Sequence, residues 1–417
     1  MNAEQQDRSL RYYTLYIMGI SCYGWAPLFF LYISKHCTLT EVLELESIYY
    51  ITVFLLEVPS GYFSDVFGRR KTLILSTLAL VLSYATFALG QSYTTFILAQ
   101  ILLAMGISFN SGTDTSLHLA LLHDTNRANE YGPREAKLAT RGLMTSAFAA
   151  LSGGLLGIFD MRLAYLLSAL GALLGFYAAF RIKEPEHTEH ATSIRDNLTT
   201  CIKLIKQPQL RWLFAFASVA IVLNHIPYEF YQPYIRNLGT KIFNYNTDTY
   251  ATLWTGIHLM GVQLTASWMA SRSSALSQRF GAQKFLLATM LLQVLLIGIM
   301  GVFEHAFVVI LLLARAWPGA FQKAPLRAHI TPLLPRRVSA TYLSMQSLTG
   351  RLAFGGTLLL LSLTPEVLAL FTDNYASTQK TNLPAILMTA TGLSLCFFLF
   401  LVVFALKDRL EQSTEAT

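Results

Sequence analysis

The chain reads as an all-α integral membrane protein with twelve transmembrane helices in two six-helix bundles. Three observations carry that reading. The 417 residues are 53% hydrophobic and only 13% charged, about half the roughly 25% of an ordinary soluble domain. Apolar runs near or above the ~18 residues that read as a membrane-spanning helix recur along the whole length. Lysine and arginine are also sorted by side. With the N-terminus inside, 22 of the 31 fall on cytoplasmic segments, 5 on the opposite side and 4 within spans. That bias places both termini in the cytoplasm. Helices are the expected form, because lipid leaves no water to satisfy open backbone groups.

The spans follow in order. Tyr12–Ile33 is too long for a signal-peptide core and lacks a small-residue cleavage site, so it is read as a retained helix. It carries Tyr23 and Trp25. Leu43–Phe63 carries Glu57, and Thr72–Gly90 follows. Thr94–Leu122 holds Asn110, Asp114 and His118 at i, i+4 and i+8, one face of a helix. Leu138–Phe159 and Leu163–Phe180 complete a first bundle, residues 1–183.

The longest polar stretch, Arg181 to Gln207, divides six spans from six, which makes residues 184–208 a cytoplasmic linker. Within it, Ile194 to Ile205 has the pattern of an amphipathic helix lying on the inner membrane surface.

The second bundle, residues 209–417, begins with Leu210–Tyr234. That span carries His225, Tyr228 and Glu229, and Pro227 and Pro233 predict a bend. Thr249–Ala270 holds Trp254 and His258, and Phe285–Phe303 follows. Ala306–Leu334 carries Arg315, Lys323 and Arg327, with Pro318, Pro325 and Pro332 interrupting its hydrogen-bond ladder. Spacings of 8 and 4 keep the three cations within about a third of the helix circumference. Val338–Leu363 carries Arg351, and Leu383–Leu406 ends the series.

The net charge of +7 belongs to this topology, so nucleic acid is not an expected partner. Cys22, Cys37, Cys201 and Cys396 have neither metal nor disulfide spacing. No G-x-x-x-x-G-K-[ST] loop is present to bind a nucleotide. No cofactor, metal or catalytic group is expected, and the chain is not expected to be an enzyme.

Between the second and third spans stands Gly61-Tyr62-Phe63-Ser64-Asp65-Val66-Phe67-Gly68-Arg69-Arg70-Lys71. It resembles the cytoplasmic loop signature of the major facilitator superfamily, G-x-x-x-D-x-x-G-R-R/K. Glu57-Val58-Pro59-Ser60-Gly61 and Ser111-Gly112-Thr113-Asp114 are similar to E-x-P-[ST]-G and S-G-x-D of bacterial facilitator transporters. The halves echo each other weakly. Gly68 matches Gly281, and Gly106 matches Gly319, both at an offset of 213. Around Gly281 the acid and arginines are replaced by Gln278, Ala282 and Gln283.

The resemblance implies alternating access in a bacterial inner membrane. Gly61, Asp65, Gly68, Arg69 and Arg70 would form a gating latch with Asp124 as the acid partner. Spans 1, 4, 7 and 10 would line the cavity. Drug–proton antiporters of the superfamily carry R-x-x-x-G in span 4 and Gly-Pro in span 5. Here Leu102 and Ser152-Gly153-Gly154 stand instead.

Charges at bilayer depth usually mark a pathway or a pair. Lys323, Arg327 and Arg351 face few acids in their own half, so an anionic cargo is expected: a small organic anion or zwitterion, with carboxylate-type chelators in that class. Asn110, Tyr23, Trp25, Tyr228 and Trp254 are the further candidate contacts. Asp114, Glu57, Glu229 and His225 are the candidates for coupling to a proton or sodium ion. In the alternative, Glu229, Asp114 and Glu57 neutralise the cations in the empty protein. The competing functions are a multidrug or metabolite efflux proton antiporter and a non-transporting membrane receptor or enzyme on the same fold. A monomer in the lipid bilayer is the expected state.

Overall fold

The structure, a computed structural model, describes residues 3–33, 35–37, 39–123, 127–184, 193–242, 251–303, 305–362 and 383–415. Every regular element among them is helical. The first half holds α1 (Ala3–Ile20), α2 (Leu39–Phe67), α3 (Arg69–Leu89), α4 (Tyr93–Asn110), α5 (Thr113–His123), α6 (Tyr131–Phe159) and α7 (Met161–Arg181). The amphipathic segment forms α8 (Ile194–Ile205), and Ser193 Oγ caps it by accepting from the Asp196 amide at 3.1 Å. The second half holds α9 (Pro208–Ile242), α10 (Ala251–Phe280), α11 (Ala282–Val302), α12 (Trp317–Ile330), α13 (Ser339–Ser362) and α14 (Leu383–Glu415).

The expected spans fall on helix, with three departures. The first stops at Ile20 and resumes as a short helix only at Phe29–Ile33, so Tyr23 and Trp25 lie between the two. The fourth is not one helix. It breaks at Ser111–Gly112, where Gly112 adopts φ +73°, a backbone conformation open chiefly to glycine. Asn110 therefore ends α4 while Asp114 and His118 begin and fill α5, so the expected single-helix stripe is split. The tenth is broken likewise: a short helix at Ala306–Leu311, a tight turn, then α12. Pro318 sits in the first turn of α12, where its missing amide costs nothing. Arg315 lies within this break and does not share a helix face with Lys323 and Arg327.

Seven helical stretches among the described residues are long and apolar enough to cross a membrane. The first, second, eighth, tenth and eleventh expected spans fall short of that standard. Each of them carries charged or polar groups, and the first and tenth are interrupted as well.

Two large apolar cores form among the described residues, one drawn from Leu10 to Ile182 and the other from Cys201 to Ala405, and a small cluster of Ala139, Ala266, Met269, Ala270 and Ala320 joins the halves. Large apolar side chains such as Phe148, Leu170, Leu295, Phe400 and Val403 point outward, the orientation lipid favours. Where α6 crosses α10 the side chains shrink. A Cβ built on Gly154 would lie 2.7 Å from the Thr252 carbonyl and 3.1 Å from Gly256 Cα. Small residues permit backbones to approach this closely. Further along the same pair, Gln263 donates to Ser146 Oγ at 3.2 Å and Ser267 to the Thr140 carbonyl at 3.1 Å.

Candidate functional site: a latch, a buried charge network and a central cavity

The glycine-aspartate-arginine loop turns α2 into α3, with Gly68 at φ +104°. Its aspartate reaches across to the other half. Asp65 Oδ2 accepts from the Thr341 amide at 2.8 Å and the Thr341 hydroxyl at 2.7 Å, and Oδ1 accepts from the Ala340 amide at 3.2 Å. These are the first amides of α13, where unpaired N–H groups and the helix dipole favour a carboxylate. Arg69, buried, donates to Ser339 Oγ at 3.3 Å and lies 3.9 Å from Asp65. Gly61 lets α2 lie flat on α13: a Cβ there would meet Ser344 Oγ at 2.7 Å.

Arg70 turns the other way. Its guanidinium donates to the Phe180 carbonyl at 2.6 Å and rests over the Phe180 ring. Glu184 caps the start of α3, accepting from the Arg69 amide at 3.0 Å and the Arg70 amide at 2.9 Å. The expected acid partner, Asp124, lies outside the described residues. Glu184 was not singled out from sequence, because a lone acid after a span reads as part of a polar linker.

Deeper in, α5 is buried from Thr113 to Leu122 and carries a charge network. Arg327 of α12 lies 3.6 Å from Asp114 Oδ2 and 3.3 Å from Glu135 Oε2 of α6. His118 Nδ1 is 2.6 Å from Glu135 Oε1. The His118 ring stacks on Tyr13 at 4.9 Å and packs against Tyr131 at 5.2 Å. Tyr13 donates its hydroxyl to the Asp114 carbonyl at 2.9 Å, and Tyr16 donates to Asn110 Oδ1 at 2.5 Å. Glu135, set among Arg134, Lys137 and Arg141, reads in sequence as part of a solvated basic loop. The helix starts seven residues before the expected span and carries Glu135 inward.

Beside this network lies a cavity of about 340 Å³ between α5, α9, α12 and α13. Its lining includes Lys323 and Arg327, the amides Asn224, Gln322 and Gln346, the hydroxyls Thr115 and Ser347, and, among the described residues, no carboxylate. Lys323 is exposed to the cavity, and no ion pair within 4 Å joins it to a described residue. Gln322 bridges Asn224 at 2.9 Å and Thr289 at 3.1 Å, which fixes the cavity's polar wall.

The remaining sequence-derived candidates are dispersed. Arg351 donates to Ser347 Oγ at 3.3 Å, one turn beyond the lining. Glu57 is wholly buried. Its Oε1 accepts from Ser111 at 2.6 Å, while Oε2 has no hydrogen-bond partner among the described residues. Asn110 is held by Tyr16. Tyr23 lies in the irregular stretch after α1, and Trp25 packs with Phe29, Tyr84 and Tyr165 inside the first half. Tyr228 and Trp254 are exposed and stand outside the cavity lining. Tyr228 instead lies under the Arg315 guanidinium. His225 binds its own helix through the Ile221 carbonyl at 2.7 Å, and Glu229 is half-buried one turn further along α9.

Two helical halves meet around a polar cavity, and Asp65 fastens the first half to the start of α13 in the second. The sequence profile of the Major Facilitator Superfamily matches residues 12–358, and the chain belongs to that family. It is a transporter and not an enzyme. Among 282 matching solved chains, the human organic anion transporter MFSD10 (TETRAN) shares the fold with a TM-score of 0.69 and 15% identity. That match covers 96% of this chain and 100% of the other. No curated protein matches the chain in sequence.

Proposed function

We propose that this transporter moves a small organic anion or zwitterion across the cytoplasmic membrane by alternating access, coupled to a proton. It works as a monomer with twelve spans and both termini inside, residues 1–183 and 209–417 forming the two bundles and 184–208 the linker. The observation that carries the substrate class is the cavity between the halves, lined by Lys323 and Arg327 and, among the described residues, by no carboxylate. Arg327 faces Asp114 and Glu135, but Lys323 has no carboxylate within 4 Å among the described residues; a cation at such depth favours a close counter-charge, and an anionic cargo supplies one. Asn224, Gln322, Gln346 and Ser347 offer neutral hydrogen-bonding groups suited to carboxylate oxygens and to the polar part of a zwitterion. The fold neighbour is itself an organic anion transporter, which agrees with this reading. Asp65, Arg69 and the start of α13 form the latch that keeps the cytoplasmic side closed, and Asp114 and Glu57 are acids buried close to the cavity wall.

The test is ligand-induced thermal stabilisation of the purified protein by panels of organic anions, zwitterions and lipophilic cations. A ligand that binds only the folded state at a hundredfold its Kd adds about 2.7 kcal/mol. Stabilisation by anions in the native protein, lost in Lys323→Ala, is the expected result. Stabilisation by lipophilic cations alone, retained in Lys323→Ala, would replace this reading with drug or metabolite efflux.

A further inference from the structure

Glu135 is claimed from both sides. One carboxylate oxygen faces His118 Nδ1 at 2.6 Å and the other faces Arg327 Nη1 at 3.3 Å. The second contact is long for a charge-assisted hydrogen bond, ordinarily about 2.7–2.9 Å. So is the 3.6 Å contact between Arg327 and Asp114. Arg327 is 24% exposed and already forms part of the cavity wall. Its hold on the two acids is loose while its access to the cavity is open.

The charges around the imidazole can be counted element by element. From α1 comes Tyr13, whose hydroxyl is committed to the Asp114 carbonyl. From α5 comes Asp114, from α6 Tyr131 and Glu135, and from α12 Lys323 and Arg327. Two cations balance two carboxylates when the imidazole is neutral. One more proton leaves the group with a single uncompensated positive charge beside the cavity, a state that is unfavourable in a low-dielectric interior without a counter-ion.

We propose that His118 and Glu135 together bind the coupling proton, and that this proton frees Arg327 for a monovalent anion in the cavity. The proposal rests on the anion-cavity reading for its cargo. In the empty carrier Nδ1–H of a neutral His118 donates to Glu135, and Nε2 accepts the incoming proton. The imidazolium then neutralises Glu135 across the 2.6 Å contact. Arg327 is left with Asp114 alone and swings toward the cavity, where Lys323 already stands. One proton and one monoanion enter as a neutral pair, and loss of the proton lets Glu135 recapture Arg327 and release the anion. A histidine suits this role because its charge changes near neutral pH.

The experiment uses the full-length protein in lipid nanodiscs with ¹⁵N-labelled histidine. The His118 signal is assigned by its loss in His118→Gln. Its imidazolium fraction is followed from pH 5 to 9. In the native protein that fraction is expected to change over the range. At pH 7 it is expected to rise several-fold in Arg327→Gln, and also in Lys323→Gln, which faces the cavity and remains informative if Arg327→Gln does not fold. A His118 signal that stays neutral throughout, or a fraction unmoved in both variants, would overturn the proton site. Benzoate is then added as a monoanion and citrate as a multivalent one. Benzoate is expected to raise the imidazolium fraction and to bind about tenfold tighter for each unit fall in pH above the transition. Titration that responds to the variants but to neither anion leaves the proton site standing and removes the anion reading.

Discussion

Asp65 Oδ2 accepts hydrogen bonds from both the amide and the hydroxyl of Thr341, 276 positions further along the chain. One buried carboxylate thus fastens α2 of the first half to the first turn of α13 in the second. Asp65→Asn keeps the size of the side chain but turns one acceptor into a donor that confronts an amide. Hydrogen bonds to a charged group contribute roughly 1.5–3 kcal/mol each, and 1.4 kcal/mol is about tenfold in population. The expected outcome is a shift toward longer distances between spin labels at Phe67 and Arg337, both exposed beside the latch. An unchanged distance distribution would mean that the contact does not hold the two halves together.

Arg327 should prove structurally necessary only because of the acids it faces. Arg327→Ala leaves Asp114 without the cation that faces it, while Glu135 keeps His118 at 2.6 Å, and removing one partner of a buried pair costs about 3–5 kcal/mol. The melting temperature should fall sharply in the single variant. It should recover by at least half when Asp114→Asn is added. A double-mutant cycle with no coupling between the two positions would show that their 3.6 Å approach carries no energy.

The crossing of α6 and α10 depends on the absence of side chains. Gly154→Ala sets a methyl group 2.7 Å from the Thr252 carbonyl, and Gly256→Ala sets one 2.7 Å from the Ala150 carbonyl. Backbone cannot yield as a flexible side chain can, so each should destabilise by about 1–3 kcal/mol. Gly355→Ala and Gly356→Ala, where an added Cβ meets nothing within 4 Å, are the controls and should melt with the native protein.

Glu57 offers the opposite case. Its Oε2 is buried without a partner among the described residues, and an uncompensated buried carboxylate is expensive. Glu57→Gln should therefore melt at the native temperature or above it, whatever it does to transport. Ser111→Ala, which removes the 2.6 Å donor to Oε1, should cost about 1–3 kcal/mol. Destabilisation by Glu57→Gln as large as that of Ser111→Ala would contradict this account. Thermal denaturation in one detergent decides it.

Much of the architecture is readable from one sequence, because lipid imposes a length and a polarity on every helix that crosses it. The Gly61 to Lys71 loop and the helix at Ile194–Ile205 both follow from local pattern. What pattern withholds is pairing at long range. A carboxylate at Asp65 calls for a helix start, but nothing local says that the start lies at Ala340. The breaks at Ser111–Gly112 and Ala314–Trp317 were hidden because each lies inside a longer apolar stretch, so the run Asn110 to Ser116 and Arg315 read as polar positions on a continuing helix. Glu135 was hidden by its basic neighbours, since a charge beside charges reads as surface until the helix register carries it inward. Aromatic residues misled in the other direction. Trp25 and Trp254 look like ligand contacts in a list of residues, yet one packs into the first half and the other is exposed away from the cavity.

The contact of Gly61 with Ser344 has a counterpart in which the roles are exchanged. A Cβ on Gly132, at the start of α6, would lie 3.6 Å from Ser274 Oγ on α10, and Ser274 stands 213 positions after Gly61. The turns that follow share positive φ, at Gly68 and at Gly281. Only the first retains its acid and arginines. The molecule therefore resembles a door with a bolt on one edge and a plain hinge on the other. Under the alternating access proposed above, the α2–α13 edge is the one to unfasten for opening toward the cytoplasm, while the α6–α10 edge keeps its close packing and swings. Strengthening the bolt would slow opening, whereas bulk added to the hinge would jam both directions of the cycle.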